Sequence, residues 1–231
     1  MTSTLSAPPV STPLAGRTAA VAVTALFFVN GMLLGGWGGA LPALRERLGL
    51  SATQIALMLF CGGVAAIASM QIGGRLADAV GARRVTLGAL PLLVLAALTL
   101  AVAPVFAVAV LGGVLLGLGN GAMDVSMNAL GVQVEAARRK PIMSFFHAFF
   151  SVGSFVGAGA VLLLSAAFGL TGAEVVAPVM VTLAVLAAAA LMVLLRITPH
   201  AAPVAHVVDG VRTKIPRIAW VLGVMGLAFG L

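Results

Sequence analysis

The sequence predicts an all-α integral membrane protein built as a six-helix transmembrane bundle. Three observations lead there. Of 231 residues, 61% are hydrophobic and only 8% charged, whereas a soluble globular domain carries about 25% charged residues and needs them to cover its surface. Apolar stretches of roughly 20 residues, the length that spans a bilayer core as a helix, recur along the chain. These stretches lack the strict two-residue alternation of a membrane β-barrel, and in lipid a helix satisfies its own backbone hydrogen bonds.

The elements follow in order. Residues 1–17 hold Ser, Thr, Pro and Ala and read as a flexible N-terminal tail. The first span covers about 18–41, too long for a signal-peptide core and followed by further spans. The second covers 52–74 and the third 84–102. Pro104 marks a tight turn, and the fourth span covers 105–133. Glu135 to Pro141, with Arg138, Arg139 and Lys140, reads as a loop. The fifth span covers 142–168 and the sixth 174–195, so that 18–195 forms one half-domain. Residues 196–217, with Pro199, Pro203 and Pro216, read as a cytoplasmic connector. Residues 218–231 are apolar again but too short to cross at about 1.5 Å per residue. They read as the start of a seventh helix in which the chain is cut.

The formal charge of +7 sorts with topology and not with nucleic acid, because no aromatic and basic residues cluster to stack bases. With the N-terminus in the cytoplasm, the inner side receives Arg17, Arg75, Arg83, Arg84, Arg138, Arg139, Lys140, Arg196, Arg212, Lys214 and Arg217. The outer side receives Arg45 and Arg47. Short cytoplasmic loops collect Lys and Arg, so this orientation is the expected one. The single cysteine, Cys61, sits in an apolar run and reads as packing. No nucleophile-base pair, metal-ligand cluster or phosphate loop is present, so neither an enzyme nor a cofactor is expected.

Glycines recur four residues apart: Gly31, Gly35 and Gly39; Gly113, Gly117 and Gly121; Gly153 and Gly157. Small residues at this spacing let helices approach closely in lipid, and tight packing is the favoured reading over helix sliding.

The fourth span carries Asn120, Asp124 and Asn128 on one face. Asp124 is the one carboxylate well inside a predicted span. A buried Asp costs roughly 2.5–3.5 kcal/mol on insertion scales, so the stripe should face the bundle interior or a water-filled cavity. Asp124 then suits proton coupling or solute contact, the alternative being an interhelical hydrogen bond. Asn120 and Asn128 both donate and accept, which suits a hydroxyl-rich solute as well as a neighbouring helix. Hairpin register places His147 beside Asn128 and about 7 Å along the axis from Asp124, where it can relay protons or simply pack. Asn30 lies near the middle of the first span as a further cavity candidate. Trp37 is nearer the outer end and reads as interfacial.

The most specific motif is Gly74-Arg-Leu-Ala-Asp78-Ala-Val-Gly81-Ala-Arg83-Arg84. Gly81 can supply a turn that a Cβ would strain, and Asp78 can pair with Arg side chains or a helix N-terminus and so gate a conformational change. The run resembles the cytoplasmic loop signature of the major facilitator superfamily, G-x-L-x-D-R-x-G-R-[RK], with Ala79 and Ala82 in place of its basic residues. Gly119 to Asn128 resembles the fourth helix of the fucose permease-like branch, and Ser144 to Gly153 resembles the same region of uncharacterised bacterial members, although Gly38 stands where the fucose permease carries a carboxylate late in its first helix. Drug antiporters of the superfamily carry an Arg where this chain has Gly113 and a Pro within the segment corresponding to 153–159, which has none.

The resemblance implies a multi-pass protein of a bacterial inner membrane. It implies half of a twelve-helix fold, made of two inverted three-helix repeats, with a second six-helix half as partner. It further implies proton-coupled uptake of a small polar solute such as a sugar by alternating access. Efflux by antiport, or a non-transporting scaffold, are the competing readings.

Overall fold

The computed structural model describes residues 12–200. The expected tail up to residue 11, most of the connector and the start of a seventh helix lie outside the described residues. Among the described residues, six helices are long and apolar enough to cross a membrane. They are α1 (Arg17–Leu48), α2 (Ala52–Val80), α3 (Ala82–Val102), α4 (Phe106–Arg138), α5 (Met143–Phe168) and α6 (Val176–Ile197). A helical turn at Thr12–Ala15 precedes α1, and a 3-10 turn at Gly172–Val175 introduces α6.

The helices overrun the predicted spans at the ends where charges begin. Arg, Glu and Ala are good helix formers, so the backbone stays helical past the lipid. The connections shrink accordingly. Gly49 closes α1 in the left-handed conformation. Ser51 Oγ then accepts from the Gln54 amide at 3.2 Å, while Gln54 Oε1 accepts from the Ser51 amide at 2.9 Å, a reciprocal cap that starts α2.

Two predicted loops prove to be mostly helix. The Gly74–Arg84 motif runs along the last turns of α2 and the first turn of α3. The corner between them is Gly81, with φ 93° and ψ 140°, where a Cβ would be strained. The 135–141 segment likewise begins inside α4. Glu135 Oε2 accepts from the amides of Ile142 and Met143 at 2.6 and 2.7 Å, so a carboxylate at the end of one helix caps the N-terminus of the next.

The packing repeats itself. α1 lies along α5 as α4 lies along α2, and α6 sits against α1 as α3 sits against α4. Successive spans alternate in direction, so α1–α3 and α4–α6 form inverted repeats. Gly31, Gly35 and Gly39 of α1 keep a constant sequence separation from Gly113, Gly117 and Gly121 of α4. A Cβ on Gly31 or Gly35 would strike the backbone of Phe150 or Ser154 in α5. One on Gly117 or Gly121 would strike Gly62 or Ala66 in α2. The glycine faces are therefore close helix-helix seams. The core lies between α1, α3, α4 and α6, filled by Leu26, Phe27, Leu90, Leu93, Met123, Met127, Leu130, Met180 and Leu183. α2 and α5 give it few side chains and turn Phe60, Ile67, Phe155 and Leu162 outward.

Candidate functional site

A groove of about 180 Å³ opens between α1, α2 and α4, lined by Leu34, Trp37, Met58, Gly62, Gly117 and Asn120 among others. The glycines create it, because they give its walls backbone in place of side chains. Trp37, expected at the interface, lines this groove. The next residue, Gly38, opens a larger cavity of about 600 Å³ that follows α1 outward past Leu41 and Pro42 to Arg45 and Glu46.

The stripe Asn120, Asp124 and Asn128 leaves the groove along α4. Asn120 lines it, and its buried Oδ1 has no hydrogen-bond partner. Asp124 is half-buried. The outward side of α4 is marked by exposed Leu111 and Val132, and Asp124 lies roughly a third of a turn from it. On another face Met123, Ser126, Met127 and Leu130 are buried in the core. Asp124 therefore sits on the flank that continues from the groove.

Two side chains address Asp124. Asn128 Nδ2 donates to the Asp124 backbone carbonyl at 2.8 Å and to its Oδ1 at 3.3 Å. Asn128 thus folds back onto its own helix and steadies the carboxylate, and it does not bridge to another helix. His147, exposed at the start of α5, lies within electrostatic range of Asp124. Its ring is held edge-on to Phe27 with centroids 5.1 Å apart, and Phe27 in turn stacks on Phe146 at 5.7 Å. The hairpin register that placed His147 near Asp124 agrees with this geometry.

Asn30 does not join them. It is 1% exposed, and neither its Nδ2 nor its Oδ1 has a partner. It belongs to the bundle interior and is not among the residues that line the groove.

The motif at the α2–α3 corner lies apart from the groove. Gly74 packs near Val125 of α4, and Asp78 and Arg84 are exposed. Arg83 reaches across to the end of α6, where Nε donates to the Thr198 carbonyl at 2.8 Å and Nη2 to that of Leu195 at 2.6 Å. Within this half, Arg83 ties the two repeats together by closing a helix C-terminus.

Arg47 does the same at the opposite end, and sequence reasoning took it for an outer-loop charge. Its guanidinium donates to the carbonyls of Leu100, Ala101 and Ala103 at 2.8 to 2.9 Å, capping α3. No local signal shows this, because the acceptors lie more than 50 residues away. A buried hydroxyl pair was also missed. Ser126 Oγ donates to the Ala122 carbonyl at 2.7 Å and lies 2.9 Å from Thr86 Oγ1, joining α4 to α3.

Chemically the site offers one carboxylate, one imidazole and an unpartnered amide oxygen beside an indole. Among the described residues no group of three or more His, Cys, Asp or Glu converges on a metal position.

Known proteins resemble much of this chain. Residues 23–231 match the family model of the Major Facilitator Superfamily. An uncharacterised transporter of Sinorhizobium fredii is 40% identical over 59% of the chain. An uncharacterised transporter of the same superfamily type from Yersinia pestis is 36% identical over 64%. The membrane protein MosC of Rhizobium meliloti is 29% identical over 59%. These matches span 36%, 39% and 33% of the respective relatives, so the matched part is well under half of each. With the family model covering most of its length and six spans packed as inverted repeats, the chain belongs to the Major Facilitator Superfamily.

Proposed function

We propose that this chain forms one half of a secondary active transporter for a small polar solute, such as a sugar, coupled to protons and working by alternating access. The reading rests above all on the stripe of Asn120, Asp124 and Asn128. It continues from a groove and lies off the outward side of α4, with His147 facing its one carboxylate. A carboxylate kept in lipid costs several kcal/mol and persists where it has work to do. With the His147 imidazole within electrostatic range, it can take up and release a proton in step with solute movement.

In this reading Asn120 and Trp37 meet the solute, Asp124 carries the proton, Asn128 steadies the carboxylate and His147 relays or balances its charge. Asp78, Gly81, Arg83 and Arg84 at the α2–α3 corner gate the rocking of this half against a second six-helix half. The protein lies in a bacterial inner membrane with its N-terminus in the cytoplasm, because the basic residues then gather inside. Arg47 strengthens that assignment. Its guanidinium is taken up by the carbonyls of α3, and Arg45, the other outer cation among the described residues, donates to the Leu50 carbonyl at 3.1 Å.

The test uses the full-length protein in membrane vesicles, with external pH followed as a panel of sugars is added. Solute-dependent alkalinisation that disappears with Asp124→Asn is expected. Solute entry with no pH change in the wild type would remove the proton coupling. No solute entry across a broad panel would remove the substrate class.

A further inference from the structure

We infer that a second site, separate from the groove, lies where α1 begins and α6 ends, and that it holds the phosphate of an anionic phospholipid. A cavity of about 440 Å³ is lined there by Gly16, Thr18 and Ala19 of α1 and by Arg196, Thr198 and His200 around the end of α6. None of the described residues that line it is acidic.

Three features make the cavity fit an anion. The first turn of α1 has neither a side-chain cap nor an acidic residue. A helix of 32 residues therefore presents unsatisfied amides and the positive end of its dipole. Arg196 adds a full positive charge. Thr198 is 3% exposed, and its hydroxyl has no hydrogen-bond partner. A buried hydroxyl of this kind is costly unless something accepts from it or donates to it, and a phosphate oxygen would accept.

The expected objection is the negative end of α6, which meets the same cavity. Arg83 answers it by donating to the carbonyls of Leu195 and Thr198. Arg138 does likewise for Ala15 and Gly16 at 3.0 Å. With four carbonyls engaged by two guanidinium groups, the surroundings are left net positive.

The occupant is a lipid and not a free ion because a separate apolar groove, able to take a chain, lies about one turn further along α1. Thr18, Val21 and Ala25 fall on one face of α1, three and four residues apart. Val21 and Ala25 line an apolar groove of about 420 Å³ between α1 and α5, completed by Phe28, Phe145 and Phe149. The phosphate then sits at the interface and one acyl chain lies along α1 below it. Basic pockets between helices at the cytoplasmic surface suit anionic headgroups.

Native mass spectrometry of the full-length protein in neutral detergent tests this, after exchange with phosphatidylglycerol or phosphatidylcholine of the same acyl chains. Wild type should retain phosphatidylglycerol preferentially. Arg196→Gln and Thr198→Val should each reduce that preference about fivefold, and Arg196→Lys should restore it. Val21→Trp, at an exposed position, should block the chain groove and lower retention of the lipid. Excess inorganic phosphate should not displace it. Equal retention of both lipids by the wild type, or an unchanged preference in Arg196→Gln, overturns the site. Displacement by inorganic phosphate with Val21→Trp indifferent overturns the lipid as its occupant. Because Arg196 is exposed, its Gln and Lys variants decide the matter even if Thr198→Val fails to fold.

Discussion

Two glycines three residues apart on α1 should respond in opposite directions to the same substitution. Gly35 faces α5, and a Cβ there would meet the carbonyl, the carbonyl carbon and the Cα of Ser154. Gly38 faces open space, with nothing within 4 Å of the corresponding Cβ. Gly→Ala in a helix gains about 1 kcal/mol from propensity. At Gly35 the added methyl presses on backbone, which has no rotamer to turn aside. Overpacking costs about 1–3 kcal/mol, and the upper end applies here. The helices must part along the whole α1–α5 seam, so the clash outweighs propensity by about 2 kcal/mol. At Gly38 the propensity gain stands alone. For a chain of this size 1 kcal/mol is worth about 2–4 °C in Tm. Thermal unfolding of the full-length protein in detergent should show Gly35→Ala melting about 4–8 °C lower and Gly38→Ala slightly higher than wild type. If Gly35→Ala matches wild type, or Gly38→Ala is the less stable of the two, the seam is not packed as described.

Three further outcomes follow from the same geometry. Arg47→Met removes three charge-assisted bonds to the end of α3. At the low end of the range for such bonds, and with water able to replace some of them, this should cost about 3 kcal/mol in an unfolding titration. Asn30→Leu exchanges a fully buried amide without partners for an apolar side chain of similar shape. It should raise stability by about 1–2 kcal/mol with transport rate unchanged, and a marked loss of transport would show that the amide is used. His147→Gln keeps hydrogen-bonding capacity but removes the imidazole that lies within electrostatic range of Asp124, so it should slow solute-driven proton uptake while solute affinity changes little.

Much of the fold was legible in the sequence because lipid imposes simple rules. Apolar length marked all six spans, and the glycine spacing marked the seams later seen between α1 and α5 and between α4 and α2. The ends were less legible. The runs around Asp78 and Glu135 read as loops from their charge, yet charge does not break a helix, and a single Gly81 suffices to turn the chain. In the site, the stripe of Asn120, Asp124 and Asn128 was visible from its four-residue spacing, and hairpin counting brought His147 near Asp124. That Asn30 is buried without partners and Trp37 lines the groove was not legible, because rotation about the α1 axis depends on which neighbours the helix touches, and no neighbour is written in its own sequence. Arg47 was hidden most completely, since capping a helix of the same bundle and lying free in an outer loop look alike until the chain is folded.

The claim on which the function depends is that position 124 meets water and not acyl chains. Asp124→Cys in a full-length background with every other cysteine, Cys61 included, replaced by Ser, treated in membranes with a charged, water-soluble thiol reagent, measures it directly. Rapid labelling that slows when transported solute is present is the predicted result. Labelling confined to a lipid-soluble reagent and insensitive to any solute would contradict it.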